Sequence, residues 1–151
     1  GLEYLILRPH NIYGPRMGYS HVIPELIKKF KNEKEGKIKF TEVFSPNHKR
    51  AFCYIDDAIS QIIKLSFDSK INNQIFNIGN MKEEISMIQV GDKIRKLIHK
   101  KSKIKKGPNT LGSPIRRVPD MKKTIKYSKF KKFTNFDEGL KKTVSWYVNN
   151  I

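Results

Sequence analysis

Cysteine, acidic residues and long apolar runs are all scarce in this sequence of 151 residues. A single cysteine, Cys53, excludes an internal disulfide framework and is typical of a reducing compartment, so we expect a cytoplasmic location. No apolar run approaches the roughly 18 residues that span a bilayer. The first residues show no charged segment followed by an apolar one. We therefore expect neither contact with a membrane nor a secretory signal.

Acidic side chains are outnumbered, with 14 Asp plus Glu against 31 Lys plus Arg, which gives a formal net charge of +17. Such a surplus attracts polyanions, including nucleic acids and phosphorylated small molecules. The lysines are spread along the whole chain, and no helix-turn-helix, zinc or RNA-binding signature is present. A Lys-rich solvated surface is therefore favoured, and a basic nucleic-acid-binding or interaction module without catalysis stays open as the alternative function.

Metal-binding and nucleophilic patterns are also missing. The four histidines, His10, His21, His48 and His99, have no metal-ligand spacing, and one cysteine cannot make a zinc site. Cys53 lies in an apolar stretch, where a core thiol is more common than a nucleophile. The sequence therefore predicts no metal site.

Apolar residues alternate between strand-like and helix-like spacing, which indicates an α/β fold in one domain. Buried strands are predicted over Tyr4 to Leu7, stopped by Arg8 and Pro9, and over Ile75 to Ile78. A further strand is expected around Ile38, Phe40 and Val43. Four helices are predicted from helical stripes: Ile23, Leu26, Ile27 and Phe30; Ile59, Ile62, Ile63 and Phe67; Val90, Ile94, Leu97 and Ile98; and Leu140, Val144, Tyr147 and Val148.

Capping signals predict where three of these helices begin. Ser86 and Gln89 have capping-box spacing, Asp56 has the place of an N-cap, and Thr134 with Asp137 gives a cap signal before the last helix. The stretch Lys100 to Gly107 is expected to be a basic connector.

Three polar clusters stand out at strand ends and in loops. The first, Arg8 to Arg16, directly follows a strand, where ligands of open α/β sheets bind, although Asn11 would serve equally well to cap a turn. The second, Arg50 to Asp57, offers a guanidinium suited to phosphate, or else a surface Arg beside helix-capping Asp residues. The third, Arg116 to Asp120, offers Arg for phosphate and Asp for a sugar hydroxyl, or else an Arg–Asp surface ion pair.

In this order and spacing, the clusters resemble the extended short-chain dehydrogenase/reductase family, in its nucleotide-sugar epimerase/dehydratase branch. The resemblance runs from about Tyr4 to Tyr147. The matching segments are Leu7-Arg8-Pro9-His10-Asn11-Ile12-Tyr13-Gly14-Pro15-Arg16, Val22-Ile23-Pro24, Arg50-Ala51-Phe52-Cys53-Tyr54-Ile55-Asp56-Asp57, Phe76-Asn77-Ile78-Gly79-Asn80, Arg117-Val118-Pro119-Asp120, and Glu138-Gly139-Leu140 through Trp146-Tyr147.

The resemblance implies NAD as cofactor and a nucleotide-diphosphate sugar as substrate, and it implies a role for individual residues. Pro9 and His10 correspond to positions near the nicotinamide. The residues implied to bind substrate are Asn11, Arg50 and Arg117 at the diphosphate, His21 and Val22 at the nucleotide, Phe40 or Val43 at the base, and Asp120 near the ribose. The family's Gly-rich turn before Arg50 is replaced by Phe44-Ser45-Pro46-Asn47-His48, which affects the part of the site that reads the base.

The family's catalytic elements are absent from the sequence. No G-x-x-G-x-x-G loop is present to seat the NAD pyrophosphate, and no Tyr-x-x-x-Lys pair lies where the family places it. Tyr127 and Lys131 have that spacing, but with six Tyr and about a fifth of residues basic, roughly one such match is expected by chance. We therefore assign no catalytic residue and expect this chain to be inactive alone.

Taken with the resemblance, these absences define the expected domain organisation. Residues 1–151 would be the C-terminal, substrate-binding portion of a Rossmann-type enzyme, without the N-terminal part that binds most of NAD. One or two of its strands, Tyr4 to Leu7 and Ile75 to Ile78, would then belong to the sheet of that absent part. Uncovered apolar strands invite pairing, so we expect self-association or a homodimer.

Overall fold

The structure, a computed structural model, describes residues 1–68 and 71–150. Strands and helices alternate along these residues, as the apolar pattern predicts. In chain order they are β1 (Leu5–Pro9), β2 (Ile12–Tyr13), α1 (Val22–Lys34), β3 (Thr41–Val43), β4 (Lys49–Ala51), β5 (Cys53–Tyr54), α2 (Ile55–Ser66), β6 (Gln74–Ile78), β7 (Glu84–Ser86), α3 (Met87–Ile98), β8 (Ile104–Lys106), β9 (Arg116–Arg117), α4 (Lys122–Ser128) and α5 (Phe136–Asn150).

The strands form four small sheets in which parallel pairing dominates. β1 pairs with β6, β2 with β5 and β3 with β8, all parallel. β4 is the middle strand of the fourth sheet, antiparallel to β7 and parallel to β9. Parallel strands need a crossover connection, and α2 supplies it between β1 and β6 while α3 supplies it between β3 and β8. This is the α/β architecture expected from the sequence.

Three helices, α1, α3 and α5, pack against one another and form what we call the helical core. Its buried residues include Ile23, Ile27 and Phe30 of α1 and Ile94 of α3. Tyr13 and Tyr54 bring β2 and β5 into the same cluster. A Cβ at position 139 would lie 2.8 Å from the Tyr54 ring, so the glycine there lets α5 approach these strands closely.

The second apolar cluster belongs to what we call the β1–β6 unit, which consists of β1, β6, α2 and α4. Phe76 and Ile78 of β6 and Leu65 of α2 are buried in it. On the other side of the strand pair, Ile6 and Ile75 are register partners and are 44% and 39% exposed. The predicted strand over Tyr4 to Leu7 is therefore present, but Tyr4 and Ile6 are not buried by this chain, and the strand continues through Arg8 and Pro9.

The helix predicted from Ile59, Ile62, Ile63 and Phe67 is present as α2, but of this stripe only Ile62 packs against the second apolar cluster. Ile59, Ile63 and Phe67 are 45%, 51% and 86% exposed, and the helix instead buries Asp57, Ala58, Gln61 and Leu65. Asp57 can be buried because both of its oxygens accept hydrogen bonds, from the Thr134 backbone N–H at 2.7 Å and the Thr134 hydroxyl at 2.9 Å. Gln61 bonds both the N–H and the carbonyl of Gly79. A polar face thus packs inward, which apolar periodicity cannot reveal.

Among the predicted helix starts, only the capping box is confirmed as written. The Ser86 hydroxyl accepts from the Gln89 N–H, and the Gln89 side chain accepts from the Ser86 N–H at 2.9 Å. The N-cap of α2 is Tyr54 rather than Asp56, which lies in the first turn. Thr134 is bound to Asp57, and the Asp137 N–H donates to Asn135 instead.

Two loop and strand predictions also change. The expected connector over Lys100 to Gly107 contains β8, because its backbone pairs with β3. The strand expected around Ile38, Phe40 and Val43 is limited to Thr41–Val43, so it excludes Ile38 and Phe40. Among residues 1–68 and 71–150, no helix combines the length and apolar character needed to cross a bilayer.

Candidate functional site

Arg50 and Arg117, which are 67 residues apart in the sequence, lie next to each other in the fold. They are register partners on the parallel strands β4 and β9. Paired residues of neighbouring parallel strands point to the same face, and the strands are about 4.8 Å apart. The structure therefore places the two arginine side chains on one face of one sheet.

The Arg50 guanidinium is buried and held by several acceptors. Its Nη1 donates to the Lys49 carbonyl at 2.8 Å, and its Nη2 donates to the Ser113 hydroxyl at 2.9 Å. Burial, and then the positive charge of Arg117, lowers the pKa of Arg50 from its usual value. No carboxylate among the described residues pairs with either arginine, so a bound anion would relieve this repulsion.

Arg116, the immediate neighbour of Arg117, is used differently. Its Nε and Nη2 donate to the two oxygens of Glu84 at 2.8 and 2.6 Å. The bidentate pair raises the pKa of Arg116 and lowers the pKa of Glu84. Arg116 therefore forms a surface ion pair, but with Glu84 rather than with the Asp120 of its own cluster. Arg117 is exposed, and no carboxylate in the described part of the chain is paired with it.

Asn11 meets both arginine strands, but its donors contact the backbone. Its Nδ2 donates to the Ala51 carbonyl at 3.0 Å and to the Arg117 carbonyl at 3.4 Å. The residue has φ of 46°, a left-handed conformation that Asn tolerates better than most residues. Asn11 thus bridges the backbones of β4 and β9, and its amide hydrogens are directed at carbonyls.

A cavity of about 150 Å³ adjoins Arg50. One wall is the face of α1, which includes Val22, and the opposite wall consists of the end of β3, the following turn and the loop that carries Ser113. Phe44 is half exposed at this cavity, with the Lys29 ammonium 5.0 Å from its ring centroid. The residues that line the cavity are Val22, Glu25, Leu26, Lys29, Glu42, Val43, Phe44, Ser45, Arg50, Met87, Thr110 and Ser113. The cavity is smaller than a typical whole-ligand pocket and suits one ring of a ligand.

The turn that replaces the Gly-rich segment keeps a glycine-like backbone. Ser45 has φ of 47°. Its hydroxyl accepts from the Thr110 N–H at 2.9 Å and donates to the Thr110 hydroxyl at 3.2 Å. Non-glycine residues in this conformation cost about 1 kcal/mol or more and concentrate at functional sites. Sequence reasoning did not select Ser45, Thr110 or Ser113, because their relation to Arg50 exists only across the fold.

A second group of predicted residues lies near the carboxyl ends of β1 and β6 and consists of Pro9, His10 and Asp120. Pro9 ends β1, and the His10 Nε2 lies 3.2 Å from the Asn77 Oδ1. The Asn77 Nδ2 donates to the Asp120 carbonyl at 3.0 Å, so Asp120 adjoins His10 rather than the cavity. Ligands of parallel sheets bind at this end of the strands.

Two predicted residues lie elsewhere. His21 is the exposed N-cap of α1, next to Val22 of the cavity. Phe40 lies outside the cavity lining, with its ring 5.1 Å from the Lys105 ammonium. Of the two candidates for the base, Val43 is therefore the one that the cavity contains.

Tyr127 and Lys131 do not form a pair on one helical face. α4 ends at Ser128, and Lys129 has φ of 53°, so Lys131 lies beyond the helix. The Lys131 carbonyl accepts from Lys82, and the Tyr127 ring packs edge-on against Phe76. The rejection of this pair is consistent with its geometry. Across residues 1–68 and 71–150, no three His, Cys, Asp or Glu side chains are grouped as metal ligands.

The fold is α/β, with Arg50 and Arg117 side by side on neighbouring strands and Arg50 lining a cavity. Residues 1–79 match the model of the NAD dependent epimerase/dehydratase family. Because the match covers more than half of the chain, the chain belongs to this family.

Named relatives agree with the family. The chain is 31% identical to a UDP-N-acetyl-alpha-D-glucosaminuronate decarboxylase of Bacillus cytotoxicus, over 97% of this chain and 47% of the relative. It is 27% identical to UDP-glucuronic acid decarboxylase 1 of Arabidopsis thaliana, over 100% of this chain and 34% of the relative. The chain thus spans between a third and a half of the length of these relatives.

Solved structures share the fold. A UDP-glucose 4-epimerase of Thermotoga maritima, solved with UDP-glucose, superposes with a TM-score of 0.83 at 22% identity, over 99% of this chain and 47% of that one. A UDP-glucuronic acid 4-epimerase of Bacillus cereus, solved with UDP-glucuronic acid and NAD, gives 0.82 at 24% identity, over 97% and 46%. At these identities the likeness establishes a Rossmann-type fold.

Proposed function

We propose that this chain is the substrate-binding portion of an NAD-dependent nucleotide-sugar epimerase/dehydratase, and that it binds a nucleotide-diphosphate sugar. The observation that carries the proposal is the pairing of Arg50 and Arg117 across β4 and β9, beside the cavity of about 150 Å³ that Arg50 lines. The two guanidiniums would hold the diphosphate, and the cavity would hold the ring of the base. The relatives are UDP-sugar enzymes by name, which supports the same substrate class.

The position proposed for the nicotinamide end of NAD is at the carboxyl ends of β1 and β6. NAD bound there would supply a transient hydride acceptor for the sugar. Pro9 and His10 lie at the carboxyl ends of β1 and β6, a position compatible with the nicotinamide end of the cofactor. His10 would contribute its imidazole there, oriented by Asn77. The pyrophosphate would need the Gly-rich loop that this sequence lacks, so a separate segment would bind most of the cofactor.

The proposal also assigns no catalytic pair to residues 1–151, so the chain alone would be inactive. We expect no turnover when it is incubated with NAD and a panel of UDP- and dTDP-sugars, followed by NMR or chromatography of the sugar nucleotide. Turnover that Tyr127→Phe abolishes would contradict both this expectation and the rejection of Tyr127. A cytoplasmic location, expected from the single cysteine, stays a prediction.

Calorimetry with two ligands tests the binding function against the nucleic-acid alternative. UDP titrated onto the chain is expected to bind with a stoichiometry of one. A DNA duplex of random sequence is expected to bind only weakly and to lose affinity steeply with added salt. Tight, salt-dependent DNA binding without any response to UDP would instead favour the basic-module alternative.

A further inference from the structure

We infer that His48 is a positioning residue of the diphosphate site, which orients the Arg50 guanidinium through the hydroxyl of Ser113. This inference rests on the proposed function, since it assigns a role within the same site. His48 lies in the turn between β3 and β4, one residue before β4 begins.

The side chains of Arg50, Ser113 and His48 form a continuous series of contacts. The Arg50 Nη2 donates to the Ser113 Oγ at 2.9 Å, and the Ser113 Oγ lies 3.4 Å from the His48 Nδ1. Arg50 and His48 are buried, at 9% and 4% exposure. This series of contacts runs from the buried His48 to the cavity, because Arg50 and Ser113 both line the cavity.

The direction of the hydrogen bonds follows from the chemistry of arginine. A guanidinium only donates, so the Ser113 oxygen accepts from Arg50 and its own hydrogen is available to a further acceptor. The His48 Nδ1 is that acceptor when the neutral imidazole carries its hydrogen on Nε2. The hydroxyl is then fixed with its lone pair directed at Arg50.

The fixed contact determines which arginine hydrogens remain for a ligand. Of the five N–H groups of a guanidinium, Nη1 uses two on the carbonyls of Lys49 and Ile115, at 2.8 and 3.5 Å. Ser113 takes one hydrogen of Nη2. The Nε–H and the second Nη2–H are left for a ligand, and two such neighbouring donors match two oxygens of a phosphate.

His48 itself is held by its backbone, so its ring is a firm support. Its N–H donates to the Ser45 carbonyl at 2.9 Å, and its carbonyl accepts from the Met87 N–H at 3.0 Å at the start of α3. His48 thereby links the N-terminus of α3, through its backbone carbonyl, to the loop that carries Ser113, through its imidazole. Replacing the ring nitrogen should disturb Arg50 without disturbing the backbone around it.

A matched pair of variants tests the inference in the full chain. His48→Phe keeps a ring but removes the acceptor, whereas His48→Asn supplies an oxygen near the position of Nδ1. We expect His48→Phe to weaken UDP binding roughly threefold to tenfold, the value of about one hydrogen bond, and His48→Asn to restore most of it. Binding of uridine, which has no phosphate and is followed by NMR shifts, should be the same in all three proteins.

Ser113→Ala provides a second route that does not depend on the folding of the His48 variants. It should weaken UDP binding to a similar extent, and adding His48→Phe to it should cause no further loss. Equal effects of His48→Phe and His48→Asn, or an equal loss of uridine and UDP binding, would overturn the positioning role of His48 while leaving the proposed function intact. Absence of UDP binding by the unmodified chain would overturn both the proposed function and the positioning role of His48.

Discussion

The helical core and the β1–β6 unit differ in how completely they bury their own apolar surface. In the helical core, the apolar faces of α1, α3 and α5 meet one another. In the β1–β6 unit, α2 and α4 cover part of the strand pair. Ile6 and Ile75 of the strands, Ile63 of α2 and Phe67 at the end of α2 stay exposed. Exposed apolar surface of this extent is typical of a region that packs against something else.

The difference also separates the two halves of the proposed site. The arginine pair and the cavity are supported by α1, α3 and the β4 sheet, so the chain can build them without help. Pro9 and His10 are carried by the strand pair, whose outer face is uncovered. We therefore expect nucleotide binding to survive in this chain, and cofactor binding to depend on whatever covers β1 and β6.

The largest predicted effect compares two phenylalanines, one from each region. Phe30→Ala should lower the free energy of unfolding by about 3–5 kcal/mol, because it leaves a cavity in the helical core. Phe67→Ala, at an exposed site, should change it by less than about 0.5 kcal/mol. Urea denaturation followed by circular dichroism measures both. A comparable loss for Phe67→Ala would show that the α2 face is already covered in solution.

The next effect concerns binding rather than stability. Arg117→Ala should weaken UDP binding roughly tenfold or more, since a charged hydrogen-bonding contact is worth about 1.5–3 kcal/mol. Arg116→Ala is the matched control and should matter less, because Arg116 is engaged with Glu84. Calorimetry with UDP decides between them. Equal effects of the two substitutions, or none, would mean that β9 does not contact the diphosphate.

A smaller effect is expected on self-association through the β1–β6 unit. Ile6→Lys places a charge on the uncovered face beside Ile75 and should weaken association of the chain about tenfold or more. Leu111→Lys, on a fully exposed loop residue, is the control and should have no effect. Analytical ultracentrifugation over a range of concentrations measures the dissociation constant. A monomer at every concentration would rule out this interface.

The smallest effect is a pH dependence that originates at the boundary of the two regions. Burial, and then the charge of Asp57, raises the pKa of the Cys53 thiol to about 12. Because the unfolded thiol ionises near pH 8.5, the protonated thiol contributes its full stability below that pH, and the contribution is lost as pH rises toward 12. The stability difference between the wild-type chain and Cys53→Ala should therefore be constant up to pH 8. It should shrink by less than about 1 kcal/mol at pH 9. A difference that stays constant from pH 7 to pH 10 would contradict the assigned pKa.

Much of the fold could be predicted from local pattern, and the exceptions have a common cause. The α1 stripe and the Ser86–Gln89 capping box depend only on residues within about two turns of helix. The α2 stripe failed because burial there depends on partners elsewhere, such as Thr134 for Asp57. β8 was missed because three residues of a basic stretch become a strand only when β3 lies beside them.

The sequence by itself determined the α/β class, the presence of the four longer helices, and the residue types suited to a diphosphate. These properties depend on spacing, charge and the lack of a Gly-rich loop or metal ligands, all of which are local. The tertiary structure alone decided that Arg117 adjoins Arg50 while Arg116 bonds Glu84, that Asn11 directs its donors at carbonyls, and that His48 reaches Arg50 through Ser113. Each of these joins segments far apart in the chain, and such contacts are fixed by the pairing of strands rather than by any neighbouring residue.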